Sequence, residues 1–395
     1  MEALQALLRS RELAGVAVRL IRRYASELAA RGFASVKLMN FCGTHEWTTV
    51  HFGIRSLVPP SVELVAGPGC PVCITPSACV EAAIQLALDG VTVYTFGDAY
   101  RLPALRPVRG ARSLIEAKAA GGDVRVVYGF ADAVRDARGA REAVFLAIGF
   151  ETTAPSYALP LAKGLVPPNL KLITALRLTP PAAKRAIAAA VERGLEPVRG
   201  IIAPGHVSTV TGAEPWDRLA RELGLPAVVS GFEPVDLLAS IATLLRMLAE
   251  GRVGAEVEYR RLVTWEGNVA AKKLIAEVFE VADAAWRGLG VIPESGLELR
   301  GPYRVHDAWE EYGLPKPGPE GDMPAGCRCA DVILGIAKPT DCPLFMKACT
   351  PSKPYGPCMV SSEGTCAIWA RFGGGGLADA VAEALGLRQP LDRRG

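Results

Sequence analysis

The feature that most constrains this chain is a repeated alternation. A short apolar run rich in Val, Ile and Leu ends in a tight turn, and a helical stretch of about ten to fifteen residues follows. From about Ala34 the runs are "SVKLMN", "VELVAG", "VTVYTFGD", "VRVVYG", "AVFLAIG", "LKLITAL", "VRGIIAPG" and "PAVVSGFE". Runs this short and this rich in β-branched residues read as buried strands. Parallel strands need a crossover between them, most often a helix. The pattern therefore predicts an α/β fold, with a helix over Ser77 to Leu88 after the second run. It is long enough for two parallel-sheet α/β domains facing a central cleft, spanning 34–140 and 141–236. At ~150 residues per domain, 395 residues suggest two or three domains.

After about Asp236 the pattern changes. "DLLASIATLLRMLAE" and "NVAAKKLIAEVFEVADAAWRG" read as long helices, and "GLPKPGPEGDMPAGC" as a loop or linker. The N-terminal stretch is amphipathic, with Leu4, Leu7, Leu8, Val16, Leu20 and Ile21 at roughly helical spacing. "FGGGGLADA" near Gly374 reads as a turn before a final helix. Residues 1–33 with 237–395 are expected to form a third, mostly helical or irregular domain that carries a cysteine cluster.

Composition then removes whole classes of function. A net charge of +3 is close to neutral for this length, whereas a nucleic-acid binder needs a strong basic stripe. The apolar stretch Leu237 to Leu248 is broken by Arg246 and is too short to span a membrane. No signal-peptide pattern is present, so the expected compartment is the cytoplasm. Ten cysteines in that compartment point to metal binding or redox chemistry more than to structural disulfides.

The chemistry-bearing residues sit where an open parallel sheet binds ligands, just past the carboxyl ends of strands. "FCGTHE", "GPGCPVC", "GFETT", "PGH" and "GFE" each follow an expected strand, which places Cys42, His45, Cys70, Cys73, Glu151 and His206 on the rims of two sheets. Cys70 and Cys73, in a frame of Gly67, Pro68, Gly69 and Pro71, suit a reactive dithiol, a zinc half-site or substrate handling. Cys73 lies near the start of the expected helix, whose positive end would lower a thiol pKa. Cys42 and His45 could complete a zinc site, or act as an iron ligand or a nucleophile with its base. Glu151, Thr152 and Thr153 read most simply as a helix N-terminus with its cap. Cys79 reads as a small core residue. No GxxxxGK[ST] or GxGxxG occurs, so nucleotide binding by those loops has no support.

Six cysteines fall between Cys327 and Cys366. One C-x-C followed by wider single spacings suits an iron–sulfur cluster better than the paired C-x2-C of structural zinc. Spacing alone leaves open which four of the six are ligands.

As a set, "NFCGTHE", "GPGCPVCITP", "GFETT", "APGHVS", "SGFEP", "EGN", "WRGLGVIPESG" and the segment ending "GPCMVSSEGTC" resemble the HypD family of hydrogenase maturation factors, over essentially the whole chain. The resemblance implies two α/β domains facing a cleft and a third domain with a [4Fe-4S] cluster. It implies a scaffold for the Fe(CN)2CO group of [NiFe]-hydrogenase, an Fe(II) cargo carrying CN and CO. The scaffold would work with HypC, accept cyanide from HypE, and serve the hydrogenase large subunit precursor indirectly. Carried residue by residue, Cys42 would ligate that iron, with His45 and Glu46 in the same motif. Cys70 and Cys73 would be the redox couple of the cleft, beside Glu151, Thr152 and Thr153. The family spacing C-x12-C-x6-C-x16-C selects Cys329, Cys342, Cys349 and Cys366 for the cluster. Cys327 and Cys358 are left as a second thiol pair, as in ferredoxin:thioredoxin reductase. Met346 stands where the family has Gly. Such a protein is a maturation scaffold with redox activity more than a turnover enzyme. The rivals are a stand-alone iron–sulfur/dithiol reductase of a small substrate, and a zinc-stapled structural protein.

Overall fold

The computed structural model describes residues 9–318 and 321–373. Leu4, Leu7, Leu8 and the "GGGLADA" part of the C-terminal stretch lie outside the described residues. In chain order the strands are β1 (Val36–Asn40), β2 (Val62–Ala66), β3 (Thr92–Thr95), β4 (Val124–Val126), β5 (Ala143–Gly149), β6 (Leu170–Arg177), β7 (Val198–Pro204), β8 (Pro226–Ser230), β9 (Gly254–Val257), β10 (Phe279–Trp286) and β11 (Gly290–Leu299). The helices that bear on the site are α1 (Arg11–Ala30), α2 (Gly43–His51), α3 (Ser77–Leu88), α4 (Pro234–Ala249), α5 (Val269–Val278) and α6 (Thr365–Phe372). Among the described residues no helix is long and apolar enough to cross a membrane.

Two sheets form, both dominated by parallel pairing. One is five-stranded in the order β2-β1-β7-β8-β9; the other is six-stranded in the order β10-β11-β6-β5-β3-β4. All pairs of the first are parallel, as are β3, β4, β5 and β6 of the second. The runs β1, β5 and β8 are buried at every position, as expected of strands covered on both faces.

The sheets do not follow the division at residue 140. β1 and β2 pair with β7, β8 and β9, while β3 and β4 pair with β5 and β6. The cut assumed that strands close in sequence share a sheet, but apolar runs mark strands without naming their partners. The third unit differs as well. α1 and α4 pack on the first sheet, with Ile21 and Leu28 buried against Leu38, Leu64, Ile241 and Leu245. Residues 11–30 and 234–249 thus belong to that sheet's core and not to a cysteine domain. The stretch 268–288 is not one helix. α5 stops at Val278, and β10 forms an antiparallel hairpin with β11 that closes onto β6. An Ala-rich run has good helix propensity, but pairing with β11 overrides it here.

Registers set the rims. β1 and β2 are level at Asn40↔Ala66, β7 and β8 at Pro204↔Ser230, and β5 and β6 at Gly149↔Leu176. Each motif therefore leaves its sheet beside the motif of the neighbouring strand.

Candidate functional site

Because β1 and β2 end together, the loops after them run side by side. The Gly67 N–H donates to Asn40 O at 2.6 Å, and the Gly43 N–H to Gly69 O at 3.1 Å. The contact is too close for side chains. A Cβ on Gly67 would lie 2.6 Å from the Phe41 ring, and one on Gly69 would overlap the Cys42 backbone. These glycines are present because two backbones touch there. The result is a narrow crevice lined by Cys42, Gly43, Glu46, Cys70, Cys73, Ile333, Glu363 and Thr365, among others. Its volume is about 10 Å³, room for a single water.

Cys42 precedes α2 in an extended conformation, with φ of −146°. Its thiol is pushed up to about 11, chiefly by burial and further by the nearby Glu363 carboxylate. Cys70 and Cys73 are joined by a disulfide and buried. The expected link between Cys73 and a helix N-terminus is not what forms. α3 begins at Ser77, and its first N–H is taken by both carboxylate oxygens of Asp322, at 2.9 and 3.1 Å. Cys79 is fully buried on α3, and burial raises its thiol to about 12.

His45 is buried and turned away from the crevice. Its Nε2 donates to Gly231 O at 2.9 Å, and its ring stacks on Phe232, which stacks in turn on His206. Nδ1 has no protein partner, and burial lowers the ring to about 4, so it is neutral. Glu46 is buried and accepts from Arg55 Nη2 at 2.9 Å, Asn40 Nδ2 at 3.2 Å and Trp369 Nε1 at 2.7 Å. Arg55 also lies over the Trp369 ring, 5.2 Å from its centre. Trp369 is on α6, the helix that carries Cys366, so Glu46 ties the Cys42 helix to the cysteine-rich segment.

Glu151 sits at the rim of the other sheet. Its Oε1 accepts from the Thr179 N–H at 2.8 Å and its hydroxyl at 3.1 Å; Oε2 has no partner. Burial raises it to about 7. Thr153 packs against Gly149, where a Cβ would lie 2.6 Å from it, and Thr152 is exposed. None of these three lines the crevice at Cys42, although the adjoining Phe150 shares a core with Cys70 and Cys73.

The six later cysteines are free thiols. Cys358 lies beside Cys329 and Cys366, and Cys327 beside Cys329. Cys366 is lowered to about 6 by its Cys329 and Cys358 neighbours, while Cys327 and Cys358 are raised. The Cys349 sulfur accepts from the N–H of Tyr355 at 3.3 Å and of Gly356 at 3.5 Å. Cys342 faces the Gly326 carbonyl. A Cβ on Gly356 would lie 2.5 Å from Cys327 Sγ and 3.1 Å from Cys329 Sγ, so this glycine keeps a space beside the sulfurs. Among the described residues no three His, Cys, Asp or Glu side chains are drawn together around a single metal ion. The fit of a [4Fe-4S] group rests instead on the donor set. Thiolates suit iron, one is already favoured as the anion, and backbone N–H groups aim at another.

Gly364 connects the two thiol groups. A Cβ there would overlap the Cys358 carbonyl and lie 3.1 Å from Cys73 Sγ. Gly364, Glu363 and Trp369 escape a reading by residue type. Glu363 and Gly364 fall in the "SSEGTC" run, where the cysteine alone carries metal or redox chemistry, and Trp369 lies three residues beyond it.

Comparison with known proteins identifies the family. The family described as "HypD: Hydrogenase formation hypA family" matches residues 16–373. The chain is 40% identical over 365 residues to "Hydrogenase maturation factor HypD" of Cupriavidus necator, covering 90% of this chain and 94% of that one. It is 42% identical over 347 residues to the factor of the same name from Rhizobium leguminosarum bv. viciae, covering 85% and 88%. A putative hydrogenase expression/formation protein of Methanocaldococcus jannaschii is 41% identical over 341 residues, covering 85% and 92%. With a family match over nearly its whole length and a thiol-lined crevice closed by its own cysteine-rich segment, the chain belongs to the HypD family of hydrogenase maturation factors.

Proposed function

We propose that this chain is the scaffold on which the Fe(CN)2CO group of [NiFe]-hydrogenase is assembled, in the cytoplasm and with HypC as stable partner. HypE would supply cyanide, and the finished group would go on to the hydrogenase large subunit precursor. The supporting observation is that Cys42, Cys70 and Cys73 line one crevice, with Gly364 lying between the Cys73 sulfur and the Cys358 backbone carbonyl. Cys42 is the cargo ligand. Its thiol must lose a proton to bind Fe(II), and the metal's own charge drives that loss from a group held near 11.

Cys329, Cys342, Cys349 and Cys366 would hold a [4Fe-4S] group, which supplies single electrons when bound. The remaining chemistry belongs to the dithiols. Cys358 attacks Cys73, giving up its proton to the departing Cys70 and forming a mixed disulfide. Cys327 then attacks Cys358, leaving a Cys327–Cys358 disulfide and a reduced Cys70/Cys73 pair. Two electrons cross, and two protons go to the released thiols. Cys327 and Cys358 both contact Cys329, so the pair can meet with little movement. Glu46 holds α6 in place through Trp369. His45, neutral and fixed on Gly231, orients the start of α2.

The test is infrared spectroscopy of the anaerobically purified complex with HypC. Cys42→Ala should remove the cyanide and CO bands; bands of normal strength would overturn the assignment.

A further inference from the structure

Arg287 is fully buried, one residue beyond β10. Its N–H donates to Ile74 O at 2.8 Å, just after Cys73. Its Nε donates to Asp322 O at 3.1 Å and its Nη1 to Pro103 O at 2.9 Å, while Nη2 has no protein partner. The next residue, Gly288, lies against Ala330 beside Cys329, where a Cβ would come within 2.9 Å of the alanine methyl. The Arg287 backbone is thus held between the Cys70–Cys73 loop and the start of the cysteine-rich segment, with its guanidinium between the carbonyls of Pro103 and Asp322.

Carbonyl dipoles alone compensate a buried cation poorly. The anionic groups within reach of its charge are Asp322, Cys329, Cys327 and Cys358. Both carboxylate oxygens of Asp322 are turned to the N–H of Ser77. The thiols remain, and they bring negative charge once they bind metal. An all-thiolate iron–sulfur group is anionic and gains one more negative charge on reduction. A fixed cation in a poorly screened interior therefore favours the reduced form.

We infer that Arg287 is the internal counter-charge of the cysteine cluster, a positioning residue that biases the bound [4Fe-4S] group toward its reduced state. The inference rests on the reading that these cysteines hold such a group.

The experiment is a redox titration of the anaerobically purified chain, read by electron paramagnetic resonance of the reduced cluster. Arg287→Gln should shift the reduced-to-oxidised ratio at least tenfold toward oxidised, a potential lower by about 59 mV for one electron. Arg287→Lys keeps the charge and should stay within threefold of the unsubstituted chain. Asp322→Asn removes the competing anion and should shift the ratio threefold or more toward reduced, which supplies a reading if Arg287→Gln does not fold. An unchanged ratio in Arg287→Gln, or in Asp322→Asn where Arg287→Gln does not fold, overturns the inference. So does a loss in Arg287→Lys as large as in Arg287→Gln. An unsubstituted chain containing no iron and sulfide overturns the underlying reading, and the inference with it.

Discussion

Within "CGTHE" neighbouring residues do separate jobs. Cys42 lines the crevice, His45 is locked against the rim of the first sheet, and Glu46 is pinned beneath Trp369. His45 gives a pH test. Its folded pKa of about 4 lies below the ordinary value of 6.5, so the unfolded chain takes up a proton first as pH falls. Its contribution to stability is present above 6.5 and is lost as pH falls toward 4. The stability advantage over His45→Asn should narrow across that window by about 3 kcal/mol, measured by urea unfolding at stepped pH. A gap that stays constant would show that the ring is charged in the folded protein. The positions of Cys42, Cys70 and Cys73 were legible in the sequence because an apolar run announces the end of its strand. The bond from Trp369 to Glu46 was not, since the partners are 323 residues apart and no local pattern encodes that contact.

At the scale of elements, the strands "AVFLAIG" and "PAVVS" and the helix from Ser77 to Leu88 follow the sequence pattern closely. The hairpin β10–β11 does not, because Ala282, Ala284 and Ala285 suit a helix until a partner strand pairs with them. Glycines decide how elements approach one another. Gly364 has φ of −74°, so its replacement is a matter of space and not of backbone strain. Gly364→Ala should cost about 2 kcal/mol by overpacking between Cys358 and Cys73. Gly139→Ala, where a Cβ meets nothing within 4 Å, should be nearly neutral. Denaturant midpoints compare the two, and equal midpoints would mean that the packing around Gly364 is loose.

Across the whole molecule, the order of strands in space could not be read from the order of runs. Pairing partners are chosen by long-range packing, and the same apolar runs are compatible with several orders. The interleaving has a direct test. A fragment of residues 34–140 should be unfolded by circular dichroism and nuclear magnetic resonance, because β1 and β2 would lose β7 and β3 would lose β5. A dispersed spectrum from that fragment would contradict the interleaving. The interleaving also has a mechanical consequence. The chain passes from the first sheet to the second after β2, returns after β6, and crosses again after β9. Three crossings tie the two sheets together, so a displacement of one is carried to the other by three segments at once. On the proposed function, a crevice with room for a single water must still widen to receive its iron cargo. Glu363 and Thr365 form one wall of the crevice, and Cys366 follows at once on α6. A shift of that turn would therefore move the wall beside Cys42 and the last of the six cysteines together.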